Sequence, residues 1–150
     1  MKGKILVPHD GYEMSDKALK YAIEIAKAMR MEIIILRVVR VFDFSIIPLS
    51  YKERENLRKK LKDADKETKR HVYNKLAKQL TACVSEGVKA KRVVMIGEPA
   101  ERILAVATQE NPYMIIIGSR KLKGFGKLKI LGSVARKVSE NAKCPVTIVH

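Results

Sequence analysis

The chain has 150 residues, of which 47% are hydrophobic and 31% are charged. This length suggests one domain spanning residues 1–150, large enough to bury a core. No apolar run approaches the roughly 18 residues of a membrane span, and Cys83 and Cys144 make neither a disulfide framework nor a metal-type spacing. We therefore expect a reduced cytoplasmic protein with no membrane segment and no metal site.

The formal net charge of +15 is unevenly distributed. Residues 118–143 carry eight basic residues and one acidic residue. Such a local excess favours phosphates, nucleic acid or an acidic protein as partners, and a solubilising surface is the alternative. Because the aromatic residues are scattered and no nucleic-acid-reading motif is present, we do not expect specific nucleic-acid binding.

The first 39 residues have the pattern of a βαβ unit. Residues 3–8 are an apolar run of buried-strand type, and residues 32–39 are a second strand rich in β-branched residues. Apolar residues recur at steps of three and four over residues 16–30, which predicts an amphipathic helix with Ser15 as its N-cap. Strand, helix and strand in so short a span imply a parallel pair.

The middle of the chain begins with a capping-box pattern formed by Ser50 and Glu53. An apolar stripe, broken at Thr68, then predicts one long helix that ends near Gly87, because glycine is favoured just past a helix end. Residues 88–96 are predicted to form a third strand.

The last third of the chain again alternates between strand and helix patterns. Pro99 suits the first position of a helix, and residues 113–117 predict a fourth strand. A final helix is expected from Ser133 to Asn141, and a fifth strand over residues 145–150. The alternation predicts an α/β fold with an open, mostly parallel five-stranded sheet and helices on both faces, a Rossmann-like arrangement.

A glycine-bearing basic loop joins the fourth strand to the last helix. Its glycines and cationic residues are Gly118, Gly124, Gly126, Gly132, Arg120, Lys121, Lys123, Lys127 and Lys129. Glycines let backbone N–H groups approach an anion, and a helix N-terminus adds partial positive charge. The pattern is therefore typical of a phosphate cradle, with a basic surface loop containing turn glycines as the alternative.

Ligands of open parallel sheets bind beside the carboxyl ends of the strands. Asp10 follows the first strand, Val38 lies near the end of the second, and Gly118 follows the fourth. If strands 1 and 4 are neighbours, Asp10 and Gly118 face each other across one crevice. Asp10 can accept a hydrogen bond from an amino group or a ribose hydroxyl there, and an Asx turn before Gly11 is the alternative role.

Several segments resemble the universal stress protein family of the UspA type over nearly the full chain. They are ILVPHDG at residues 5–11, GEPAERIL at 97–104, IIIGSR at 115–120, LGSVARKV at 131–138 and CPVTIV at 144–149. The resemblance implies a sheet of order 3-2-1-4-5 and homodimerisation, through the C-terminal strand Val146–Val149. In one branch of the family it also implies ATP binding, for which Mg²⁺ is a companion ion.

The ATP-binding branch carries the motif G-x2-G-x9-G-[ST], which this chain matches only in part. Gly118 matches the first glycine and Gly132-Ser133 match the closing pair, but Lys121 replaces the second glycine and the loop is one residue longer. The family's adenine and ribose contacts fall on Asp10 and the main chain of Val38. The nucleotide-binding residues that the resemblance implies are Pro8, Asp10, Val38, Gly118, Arg120, Lys121, Gly132, Ser133 and Val134.

These observations leave several functions open. Our first interpretation is a stress-response regulatory protein that binds an adenine nucleotide, with ATP ahead of AMP or a cyclic nucleotide. Alternatives are a dimeric scaffold without nucleotide binding, a nucleic-acid-associated basic protein, and a slow ATP hydrolase. We expect no enzyme, because Ser133 has no histidine or acid at motif spacing and Asp10 is the only acid placed in the crevice.

Overall fold

The computed structural model describes residues 3–40, 48–120 and 131–150. Within them the elements, in chain order, are β1 (Lys4–Pro8), α1 (Glu13–Met29), β2 (Glu32–Val39), α2 (Tyr51–Lys75), α3 (Ala77–Ser85), β3 (Ala90–Ile96), α4 (Pro99–Glu110), β4 (Met114–Gly118), α5 (Ser133–Asn141) and β5 (Val146–Val149). None of the helices in these ranges is both long and apolar enough to cross a membrane.

The five strands form one parallel sheet in the order β3-β2-β1-β4-β5, which confirms the predicted fold class and strand order. The order reverses between β1 and β4. Their recorded pairings are Ile5 with Met114 and Leu6 with Ile115, toward the amino-terminal part of each strand. The carboxyl ends of β1 and β4 are therefore neighbours at the switch point, where ligands of such sheets bind.

Two apolar clusters, one on each face, hold the helices against the sheet. Ile5 and Val7 of β1 pack under α1 and α3, whereas Leu6 between them packs under α4 and α5. This division follows from the alternation of side chains along a strand. Because both faces are covered, the inner strands β1, β2 and β4 are continuous apolar runs rather than alternating ones.

Helix α1 begins earlier than the sequence pattern predicts, and Ser15 is not its N-cap. The N-cap is Tyr12, whose carbonyl accepts hydrogen bonds from the N–H groups of Ser15 (3.1 Å) and Asp16 (3.2 Å). Ser15 is instead buried in the first turn, where its hydroxyl donates to Asp10 Oδ1 at 2.8 Å. The start of α1 is therefore set by the loop from Asp10 to Tyr12, which lies before the apolar periodicity that predicted the helix.

The predicted long helix is two helices, and the break lies at Leu76 rather than at Thr68. Leu76 has a ψ of 2°, away from helical values, and its side chain is buried in the core beneath α3. The described side chains of α2 are all at least partly exposed. The start at Ser50 and Glu53 is confirmed as a reciprocal capping box, with Ser50 Oγ accepting from the Glu53 N–H.

The remaining boundaries agree with the sequence to within two residues. β3 begins at Ala90 and not at residue 88, because Val88 still donates its N–H to Cys83 O at the end of α3. Gly87, just past that helix end, has a φ of +75°, which favours glycine. Pro99 occupies the predicted first turn of α4.

An ion-pair triad at the amino-terminal edge of the sheet joins α4 to β1 and β3. Glu110 accepts hydrogen bonds from Lys4 Nζ at 2.8 Å and from Lys91 Nζ at 2.7 Å. The hydrogen bonds from Lys4 and Lys91 hold the pKa of the Glu110 carboxyl below its usual value of 4.5. A carboxyl whose pKa is lower in the folded state stabilises the fold at pH values above its unfolded-state pKa. This stabilisation is lost as the pH falls through the folded-state pKa.

We predict that Glu110→Gln lowers the free energy of unfolding by about 1 kcal/mol near neutral pH, because two charge-assisted hydrogen bonds are weakened. Denaturant unfolding at a series of pH values measures this difference, which should shrink once the pH falls below the folded-state pKa of Glu110. The exposed Glu140→Gln is the matched control and should change little. An equal loss at every pH would show that charge does not matter here.

Candidate functional site

The carboxylate of Asp10 joins three parts of the chain at the carboxyl edge of the sheet. Its Oδ1 atom accepts hydrogen bonds from the Tyr12 N–H (3.0 Å) and the Ser15 hydroxyl (2.8 Å). Its Oδ2 atom accepts from Arg120 Nε at 3.0 Å, which also makes an ion pair. Asp10 therefore forms the Asx turn considered as its alternative role, and it also meets the segment that follows β4.

These hydrogen bonds set the charge of Asp10. Partial burial acts to raise the pKa of its carboxyl, but hydrogen bonds from Tyr12, Ser15 and Arg120, with the positive charge of Arg120, outweigh it. The pKa consequently lies below its ordinary value of 3.8. Asp10 is ionised near neutral pH and can only accept hydrogen bonds, which suits a ligand that presents amino or hydroxyl groups.

Gly118 is packed against the backbone of α1. A Cβ atom built at this position would lie 2.4 Å from the carbonyl oxygen of Met14 and 3.0 Å from the Ser15 nitrogen. Such distances leave no room for a side chain, since the neighbours are backbone atoms. A close approach of strand and helix thus accounts for this glycine before any phosphate contact is considered.

Gly132, by contrast, is sterically open. It is the N-cap of α5 with φ of −60° and ψ of 152°, and a Cβ built there would meet nothing within 4 Å among the described residues. Glycine offers no side chain to accept from the first N–H groups of α5. Among the described residues no side chain caps these groups, and an anion can approach them and the exposed Ser133 at the positive end of the helix.

The other predicted residues have clear positions in the described structure. Pro8 is buried at the end of β1, while Val38 and Val134 are partly buried members of the apolar cluster under α4 and α5. Among the described residues, no hydrogen bond joins Asp10 or Arg120 to Gly132 or Ser133. Lys121, Gly124 and Gly126 lie outside the described residues, so the predicted middle of the loop stays a prediction.

Two residues that the sequence analysis did not single out belong to this region. The Arg120 guanidinium lies 4.7 Å from the centre of the exposed Tyr12 ring, a cation–π contact. Arg37 of β2 places Nη1 at 3.4 Å from the His9 carbonyl. An aromatic residue two positions after Asp10 was a visible signal for Tyr12, but an arginine in a strand gave none for Arg37.

His9 and the cysteines have structural surroundings. The buried His9 ring shares a 2.9 Å contact from Nε2 to Asp16 Oδ1, and its Nδ1 accepts from the Gly11 N–H. Burial raises the pKa of the Cys83 thiol to about 11 and also raises that of Cys144. Within the described ranges, no three His, Cys, Asp or Glu side chains are grouped to hold a metal.

Comparison with known proteins assigns the chain to a protein family. The model of the universal stress protein family matches residues 1–150. The chain is 36% identical to universal stress protein YxiE of Bacillus subtilis, with 100% of both chains covered. It is 34% identical to universal stress protein MJ0531 of Methanocaldococcus jannaschii, covering 97% of this chain and 81% of the relative.

Solved structures agree with the sequence relatives. Protein MJ0577, from the same archaeon, superposes with a TM-score of 0.75 at 26% identity, covering 99% of this chain and 96% of the other. The chain therefore belongs to the universal stress protein family, as its motifs predicted.

We predict that Gly118→Ala destabilises the fold by about 1–3 kcal/mol, the usual range for overpacking. The added methyl group would collide with the Met14 carbonyl, and neither backbone segment can yield without disturbing β4 or α1. Urea unfolding midpoints of this variant and of Gly132→Ala measure the effect. Gly132→Ala has open space and should stay within about 1 kcal/mol of wild type; equal midpoints for Gly118→Ala and wild type would contradict the packing role.

Proposed function

We propose that this chain is a stress-response regulatory protein that binds an adenine nucleotide, with ATP as the first candidate, in the crevice between β1 and β4. The contact of Asp10 with Arg120 carries the proposal, because it joins the segments after β1 and β4 at the switch point. Two universal stress proteins have been solved in complex with cAMP and with dAMP, at 19% and 16% identity to this chain.

The phosphates would lie at the start of α5. The first N–H groups of this helix have no side-chain cap from Gly132, and the Ser133 hydroxyl is an additional donor. The missing side chain at position 132 leaves space for a phosphate close to the backbone. Arg120 and Lys121 would supply positive charge from the segment that follows β4.

The adenosine end would lie toward Asp10, with Pro8, Val38 and Val134 as nearby apolar surface. Asp10 is ionised and would accept from the amino group or a ribose hydroxyl, but Arg120 already engages its Oδ2 atom. Binding therefore requires Arg120 to share or release this oxygen. Breaking the Asp10–Arg120 ion pair would reduce the net free energy of binding. The released Arg120 would in turn bring its positive charge to the phosphates.

Mg²⁺ would enter with the nucleotide. The described residues contain no group of three candidate metal ligands, which fits an ion bound mainly by phosphate oxygens and water. Asp10 is engaged by three donors, and it is not a ready metal ligand or water-positioning base. We accordingly propose a binding protein and not a hydrolase.

We predict saturable binding of labelled ATP by the wild-type chain and its loss in Gly132→Val. Valine tolerates the extended backbone of residue 132, and its Cβ meets nothing in the described protein, so the fold should survive. The added side chain would instead occupy the phosphate position. Circular dichroism of both proteins checks the fold, and Gly132→Ala provides a graded control.

Absence of saturable binding by wild type at millimolar ATP would contradict the nucleotide proposal. The scaffold interpretation would then take its place. Equal affinities of wild type and Gly132→Val would keep nucleotide binding but move the phosphates away from α5.

We also propose that the chain forms a homodimer through β5. The sheet has β3 and β5 at its edges, and α2 lies against β3, where Arg92 donates to Tyr73 O at 3.0 Å and stacks on its ring. Strand β5 is partly exposed along its whole length. No described strand pairs with the outer side of β5, and a second copy related by a two-fold axis would pair with the backbone groups there.

We predict that light scattering reports twice the chain mass of 17.0 kDa at micromolar concentration. Ile115 N–H bonds Pro145 O and Ser119 N–H bonds Val149 O, so Ile148 between them directs its own N–H outward. Ile148→Pro removes that donor and should shift the protein toward monomer. A mass of one chain for wild type would contradict the dimer, and an unchanged mass for folded Ile148→Pro would place the interface elsewhere.

A further inference from the structure

A second cleft opens at the same edge of the sheet. Its volume is about 390 Å³, and its walls are the loop of residues 9–12, Arg37 of β2, and the junction of α2 and α3. Arg37 and Val38 are consecutive in β2, so their side chains leave opposite faces of the sheet. Val38 packs under α4 and α5, and the cleft therefore lies on the α1–α3 side, away from Gly132 and Ser133.

Arg37 gives this cleft an underused cationic group. Its only hydrogen bond among the described residues is the long one from Nη1 to His9 O, at 3.4 Å, although a guanidinium has five N–H donors. Nη1 would lie 3.1 Å from a Cβ built on Gly11, whose φ is +86°. Glycine at position 11 thus allows the guanidinium to rest against the loop backbone, which fixes its position in the cleft.

Two further side chains complete the polar lining. Lys75, at the end of α2, adds a second positive charge, and neither it nor Arg37 pairs with a carboxylate in the part of the chain that the structure describes. The Oε1 atom of Gln79 is buried and has no hydrogen-bond partner there. Gln79 is therefore a polar part of the cleft wall that the described protein leaves without a partner for this oxygen.

The acidic residue of the cleft does not cancel this charge. Asp10 is already paired with Arg120 at 3.0 Å, so its negative charge is compensated from the other side. Asp16, which lines the groove between α1 and α3, contacts the His9 ring. Counted over the described residues, Arg37 and Lys75 therefore leave the cleft positively charged next to the neutral side chain of Gln79.

We propose that this cleft binds a phosphate group, as the inorganic ion or in a small phosphate monoester. The two cations match a dianion, and a planar guanidinium can bind two phosphate oxygens at once. Gln79, which also lines the cleft, would add a neutral polar side chain beside the phosphate. The site lies on the other face of the sheet from Gly132 and Ser133, and among the described residues it adjoins the proposed nucleotide crevice through Asp10 and Tyr12, which both contact Arg120.

The test is a nuclear magnetic resonance titration of the full ¹⁵N-labelled chain with sodium phosphate against sodium chloride at equal ionic strength. Saturable shifts of the Gly11 and Tyr12 amides and of the Gln79 side-chain amide support the proposal. A parallel titration with glycerol phosphate distinguishes the free ion from a monoester, because the preferred ligand saturates the shifts at the lower concentration. Shifts that grow linearly without saturation, or that fall only on Ser133 and Val134, would overturn it.

Substitutions of Arg37 and Lys75 test whether these two cations bind the phosphate. Arg37→Gln should abolish the saturable shifts, and Lys75→Gln should weaken the affinity roughly tenfold, the scale of one charge-assisted hydrogen bond. Lys78→Gln is the matched control, because Lys78 lines the groove between α1 and α3 and not this cleft. If Arg37→Gln fails to fold, the exposed Lys75→Gln still decides the question. Equal weakening by Lys75→Gln and Lys78→Gln would show general screening and overturn the site.

Discussion

The carboxylate of Asp10 is the contact on which the carboxyl edge of the sheet depends. It fixes the turn after β1 through Tyr12, the first turn of α1 through Ser15, and the segment after β4 through Arg120. An apolar side chain at this position would leave the Arg120 guanidinium without its carboxylate and the Ser15 hydroxyl with only the Tyr12 carbonyl as acceptor. The same ionised group is the acceptor that our proposal assigns to the nucleotide, so fold and binding compete for its oxygens.

Two glycines of the family motif have different physical roles in this chain. Gly118 is required by the backbone of α1, whereas Gly132 has open space around it and begins a helix without a side-chain cap. A motif match at Gly118 therefore says little about phosphate, since packing alone would select glycine there. The position proposed for the phosphates therefore depends on Gly132, where nothing in the described protein demands the missing side chain.

The sequence predicted most of the fold because its strands are apolar runs separated by turn residues and capped helices. Hydrophobic periodicity could not show the break at Leu76, which has no glycine or proline and follows from the burial of one side chain. It also missed the start of α1, because the Asx turn at Asp10 lies outside the apolar pattern. For the candidate site, the sequence correctly predicted that Asp10 lies at the carboxyl edge of the sheet. It could not predict the ion pair of Asp10 with Arg120, because that pair depends on the spacing of β1 and β4.

A crystal structure grown with ATP tests the central claim most directly. The account predicts the phosphates at the N–H groups of Ser133 and Val134, the adenosine beside Asp10 and Val38, and Arg120 turned from Asp10 toward the phosphates. ATP bound away from the carboxyl ends of β1 and β4, or bound there with the Asp10–Arg120 pair intact and no contact to the start of α5, would contradict it.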